Sequence, residues 1–175
     1  VGKSYLAQTI ESDFLNKELN PDSDNYVLVR CNWEMSVFKI VTRSISKALK
    51  KTYRQIIQGE PKETEKDRYK EVCDKERRDN VFYLDTPVNA EVFEAQMEEF
   101  LEEHKDKQMI LVSIDHIGLT AESGKGKSTE INLMIEAINR LRHKYPNVSF
   151  LILSQLNREI ESRTDIKQQA PQLSD

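Results

Sequence analysis

Met109-Ile110-Leu111-Val112-Ser113-Ile114-Asp115 reads as a buried strand that stops on a carboxylate. Short, nearly continuous apolar runs of this kind belong to parallel sheets covered on both faces. The pattern recurs on either side. Tyr26-Val27-Leu28-Val29-Arg30-Cys31 is delivered by the turn chemistry of Asn20-Pro21-Asp22-Ser23-Asp24. Val81-Phe82-Tyr83-Leu84 is a shorter candidate, ended by Asp85-Thr86-Pro87. Pro146-Asn147 turns the chain into Val148-Ser149-Phe150-Leu151-Ile152-Leu153-Ser154-Gln155.

Helical periods fill the intervals. Residues 5–16 carry Leu6, Ile10 and Phe14 on one predicted face. Residues 37–57 read as one long helix through Ile40, Val41, Ile45, Leu49, Tyr53 and Ile56. Asn89 offers an N-cap to a helix using Val92, Phe93, Met97, Phe100 and Leu101. Ile131, Met134, Ile135, Ile138 and Leu141 form a further stripe. Two stretches lack such a period. Residues 59–80 are a charged excursion, expected to be a solvated helix or a flexible segment, and residues 120–130 are small and polar, expected to be a loop. Strands alternating with helices predict an α/β domain with a mostly parallel sheet and helices on both faces. Ligands of such sheets bind outside the carboxyl ends of the strands.

The 175 residues suit one domain with a sizeable core, and no internal repeat interrupts it. Charged residues make up 32% and the formal net charge is -4, so a nucleic-acid site would have to be a local basic patch. Cys31 and Cys73 sit in no metal-like spacing, which points to a reducing, cytoplasmic setting. No apolar run reaches the length of a membrane span.

The strand ends hold the candidate chemistry. Gly2-Lys3-Ser4, immediately before a helical period, is the second half of the phosphate-loop pattern G-x-x-x-x-G-K-[ST]. In that role backbone N–H groups at the helix start hold phosphate, Lys3 reaches the terminal phosphates and the Ser4 hydroxyl ligates Mg²⁺. The tripeptide alone also suits an ordinary helix start. Ser123-Gly124-Lys125-Gly126-Lys127-Ser128-Thr129 imitates the pattern and fails it: Ala121 stands where the first glycine belongs. Asp115 ends its strand as a metal-linked carboxylate would, and Glu34 follows a neighbouring strand as a base for water would. Because His116 rather than an acid follows Asp115, a hydrolytic base has to come from elsewhere, which favours Glu34. Gln155 ends the last strand, where an amide can touch a γ-phosphate. Each of these residues also has an ordinary structural reading, as a turn residue, a helix-start carboxylate or a satisfied amide. Their company is what gives them weight.

In this order the motifs resemble the RecA-like motor domain of DnaB-type replicative DNA helicases, including the helicase half of phage primase-helicases. The resemblance rests on Gly-Lys-Ser with its helix, Asn32-Trp33-Glu34-Met35-Ser36, Tyr83-Leu84-Asp85-Thr86-Pro87 and Asp115-His116-Ile117-Gly118-Leu119. It also includes residues 130–145 and Ser154-Gln155-Leu156-Asn157-Arg158 after the last strand, so it spans nearly the whole chain. It implies a RecA-like P-loop NTPase core that binds ATP through Gly2, Lys3 and Ser4. Asp115 and Ser4 would serve Mg²⁺, Glu34 would be the catalytic carboxylate and Gln155 the γ-phosphate sensor. It further implies single-stranded DNA held by residues 120–130 and 158–167, through Lys125, Lys127, Arg158, Arg163 and Lys167. The expected assembly is a ring-shaped homohexamer in the cytoplasm of a bacterial or phage-infected cell, working with a primase and a helicase loader.

By the same comparison residues 1–175 are a partial domain. The first glycine of the phosphate loop and the strand feeding it would precede Val1, and an arginine finger would follow Asp175. Such a piece would hydrolyse ATP poorly by itself. Two other readings compete: a recombinase- or KaiC-like ATPase of the same fold, and a non-catalytic DNA-binding relic.

Overall fold

The computed structural model describes residues 2–124 and 126–155. Four strands form one parallel sheet: β1 (Tyr26–Asn32), β2 (Val81–Tyr83), β3 (Met109–Asp115) and β4 (Val148–Ile152), in the order β2-β1-β3-β4. The central pair, β1 and β3, is in register from Tyr26 opposite Met109 to Asn32 opposite Asp115. Ile114 in turn lies opposite Ile152. The carboxyl ends of β1, β3 and β4 therefore come out side by side.

The helices are α1 (Lys3–Phe14), α2 (Val37–Leu49), α3 (Tyr53–Gln58), α4 (Lys66–Glu76), α5 (Ala90–Glu103) and α6 (Lys127–Lys144). On one face of the sheet, Val27, Val29, Cys31, Ile110, Val112 and Ile114 pack against Phe93, Met97 and Leu101 of α5 and Met134, Ile138 and Leu141 of α6. Burial there pushes the Cys31 thiol up to about 12, so it stays protonated and inert near neutral pH. On the other face, Leu28 and Leu111 pack with Leu15 and Phe14 at the end of α1. Asn89 caps α5 as its position predicts, accepting a hydrogen bond from the Val92 N–H at 3.0 Å. Among the described residues no helix is long and apolar enough to cross a membrane.

Three expectations need correction, and one open alternative is decided. The apolar period of residues 37–57 belongs to two helices. Lys50 takes the left-handed conformation (φ 51°) after α2, and Thr52 with Gln55 forms a capping box that starts α3. Of the two readings of the charged excursion the helix holds: α4 packs against α2 and sends Glu76 inward to Arg30. Residues 127–130 are the first turn of α6 rather than loop. The predicted face of α1 is rotated: Leu6 and Ile10 are exposed, while Ala7, Glu11 and Leu15 are buried.

Candidate functional site

Strand alternation decides which side chains reach the α1 face. On β1, Leu28 packs against α1 and Arg30 reaches Glu11 of α1, so Asn32, two residues on, shares that face. On β3, Leu111, Ser113 and Asp115 do the same. Asn32 and Asp115 are register partners, roughly 4.8 Å apart across neighbouring strands. Asp115 is buried, and its carboxylate makes no ion pair or side-chain hydrogen bond among the described residues. Its carbonyl oxygen accepts from the Trp33 N–H at 3.0 Å and the Glu34 N–H at 3.3 Å. Glu34, itself exposed, is thereby fastened to the end of β3.

Gly2 precedes α1 with φ 104°, a conformation that suits glycine, and its carbonyl accepts the Leu6 N–H at 2.9 Å. Lys3 and Ser4 form the first turn of α1. The Lys3 ammonium donates to the Ser154 carbonyl oxygen at 2.6 Å, which ties the start of α1 to the segment leaving β4. Gln155 is the next residue and is exposed. The strand that carries it ends at Ile152, three residues earlier than Gln155, so Gln155 stands on a short extension. Leu153 anchors that extension by donating to the Ile114 carbonyl at 2.9 Å and accepting from the Ile117 N–H at 3.0 Å.

The fold thus gathers Gly2, Lys3, Ser4, Glu34, Asp115 and Gln155 around the carboxyl ends of β1, β3 and β4. The residues expected to meet DNA are arranged differently. Lys127 sits in the first turn of α6, and its ammonium donates to the Thr120 carbonyl. The loop it closes is fastened again where the Thr120 hydroxyl donates to the Val88 carbonyl at 2.8 Å and the Ser123 N–H to Glu130 at 3.1 Å. Lys125, Arg158, Arg163 and Lys167 lie outside the described residues.

Beneath the strand ends lies a charged cluster that periodicity does not reveal. Arg30 donates through Nε to Glu11 at 2.8 Å and through Nη1 to Glu76 and, at 2.8 Å, to the Tyr83 hydroxyl. Ser44 of α2 adds a hydrogen bond to Glu76 at 2.8 Å. Burial works against the Arg30 charge, but Glu11 and Glu76 outweigh it and hold its pKa above the usual value. Burial likewise opposes the Glu76 charge; Arg30 and the donors Tyr83 and Ser44 prevail and hold its carboxyl below the usual range. Asn32 enters the sequence expectations only as part of residues 32–36, with no role of its own. The period-2 alternation from Leu28 through Arg30 was the available signal that it faces the same side as Asp115.

Among the described residues no three His, Cys, Asp or Glu side chains converge to cage a metal ion. Asp115, a buried carboxylate, and Ser4, a hydroxyl in the first turn of α1, are the residues that could hold an Mg²⁺ arriving on phosphate oxygens and keeping several waters.

The parallel sheet with helices on both faces is the α/β fold expected of a RecA-like domain. The family profile described as "DnaB-like helicase C terminal domain" matches residues 1–175, and the chain belongs to that family. Two solved structures share the fold, each at 18% identity, with a TM-score of 0.67 over 88% of this chain. One is a DnaB-like replicative helicase described with its interactions with primase; the other is described as an ATPase domain. The chain spans 37% and 54% of their respective lengths. No curated protein sequence matches it significantly.

Proposed function

We propose that this domain is the ATP-driven motor of a replicative DNA helicase, which moves along single-stranded DNA as a homohexameric ring. The observation that carries the reading is the Lys3 ammonium on the Ser154 carbonyl, at the end of the sheet where β3 finishes on Asp115 and Glu34 follows β1. A cation at a helix start, next to one buried and one exposed carboxylate, suits triphosphate chemistry.

In this reading a phosphate oxygen replaces the Ser154 carbonyl as partner of Lys3, while N–H groups at the start of α1 hold the remaining charge. Asp115 and Ser4 would hold Mg²⁺, which when bound would supply positive charge against the triphosphate. Glu34 accepts a proton from the attacking water as its oxygen bonds to the γ-phosphorus. The bond to the bridging oxygen breaks, and ADP departs with that electron pair. Gln155, one residue beyond the carbonyl that Lys3 releases, is suited to transmit loss of the γ-phosphate to the residues after it. Lys125, Arg158, Arg163 and Lys167 supply the DNA contacts, while Lys127, also expected there from the sequence, stays on the Thr120 carbonyl. The protein is cytoplasmic and cooperates with primase and a loader.

The test is ATPase and strand-displacement activity of the full-length protein. We expect single-stranded DNA to stimulate hydrolysis, and Lys3→Ala to abolish both binding of a fluorescent ATP analogue and unwinding. Filament formation with ATPase but no strand displacement would instead support a recombinase-like role. Unaltered nucleotide binding by Lys3→Ala would remove the phosphate-loop assignment.

A further inference from the structure

Among the described residues, buried side-chain atoms without a hydrogen-bond partner include Asn32 Nδ2, Trp33 Nε1 and His116 Nδ1, all at the carboxyl end of the sheet. Trp33 belongs to the α5 face, packed edge-on against Phe93. Asn32 alone of the three lies on the α1 face by strand alternation, in register with Asp115 and two residues before Glu34. A buried amide donor without a partner destabilises a fold unless something else accepts its hydrogen bond.

The other groups gathered there narrow what that acceptor is. Glu34 and Asp115 are carboxylates, and a triphosphate is anionic, so the site is rich in acceptors. A water attacking phosphorus gives one proton to its base and directs one lone pair at phosphorus. Its second lone pair is fixed only by a donor. A neutral amide supplies one without placing a second cation beside the metal-linked carboxylate.

We propose that Asn32 is a positioning residue: its Nδ2 donates to the attacking water held by Glu34, on the Asp115 side of the γ-phosphate. The proposal rests on the hydrolytic reading of the site. It concerns a bond made mainly as the transition state forms, so its loss affects rate more than ground-state binding.

The test uses the full-length protein, Mg²⁺ and two probes: a fluorescent non-hydrolysable ATP analogue and a fluorescent ADP with aluminium fluoride. Asn32→Ala and the isosteric Asn32→Asp, which lacks the donor, should each lower kcat by about tenfold or more. KM and affinity for the ATP analogue should stay within about twofold, while affinity for the aluminium fluoride complex falls in parallel with kcat. Asn32→Ser, which keeps a donor, should recover part of the rate. Wild-type kcat in both donor-less variants would overturn the proposal. So would equal loss of both probes, or an altered Mg²⁺ requirement for the ATP analogue, because either outcome would assign Asn32 to folding or to Asp115. Failure of the wild-type protein to bind either probe would overturn the hydrolytic reading and the proposal together.

Discussion

Glu34 is exposed and Asp115 is buried, a contrast that suits the separate roles proposed for them. A proton acceptor must exchange its proton with solvent, whereas a metal-linked carboxylate gains from a drier setting where charge interactions are less screened. The two are held together by backbone, because Trp33 and Glu34 donate to the Asp115 carbonyl oxygen. Substituting either side chain should therefore leave the strand ends in place. Glu34→Gln in the full-length protein should lower ATPase kcat by about a hundred- to ten-thousandfold while the affinity for an ATP analogue barely changes. Steady-state hydrolysis read beside analogue binding checks this, and normal turnover would show that the base is another group. The placing of both carboxylates at strand ends was legible in the sequence because each follows an apolar run. Asn32 was not, since a polar residue within a strand carries no signal until its face is known.

At the scale of elements, α4 gives the sharpest contrast between pattern and packing. None of its residues is fully buried, so periodicity reports only a solvated run. Its attachment is electrostatic: Glu76 reaches the Arg30 of β1, within the same cluster as Glu11 of α1. The rotated face of α1 has the same cause. Glu11 turns inward to meet Arg30, carrying Ala7 and Leu15 with it and leaving Leu6 and Ile10 outside. A hydrophobic stripe cannot foretell a buried ion pair whose partner lies in another element. The division between α2 and α3 was more accessible, since Thr52 and Gln55 spell a capping box; the apolar period continuing across Lys50 concealed it. Removing one partner of a buried pair strands the other charge, so Glu76→Ala should destabilise the domain by about 3 kcal/mol at neutral pH. Because its folded-state pKa is lowered, the Glu76 contribution is complete above the unfolded value of about 4.3 and is lost as pH falls through the folded value. Denaturant unfolding at pH 7 and in the acid range should show the gap between wild type and variant narrowing with acidification. A gap under about 1 kcal/mol at pH 7 would mean that Glu11 alone neutralises Arg30.

For the whole molecule, a formal net charge of -4 has to be reconciled with binding a polyanion. Long-range attraction is weak, so affinity must come from a few local cations displacing counterions, and the salt dependence counts them. The five cations expected from the sequence, Lys125, Lys127, Arg158, Arg163 and Lys167, would give a slope of log affinity against log salt of about -3.5 per engaged subunit. The fold qualifies that count. The Lys127 ammonium is already engaged by the Thr120 carbonyl, in a loop that Val88 and the buried Glu130 fasten at two further points. If that closure persists on DNA, four cations remain and the slope is about -2.8. We expect the smaller value, from fluorescence anisotropy of a labelled oligothymidylate with the full-length protein and a non-hydrolysable ATP analogue across a sodium chloride series. Lys125→Ala should reduce the slope by about 0.7, whereas Lys127→Ala should leave it unchanged while loosening the loop. A reduction of about 0.7 on Lys127→Ala would place its ammonium on a phosphate, and Thr120 would then have to release it whenever the protein grips the strand.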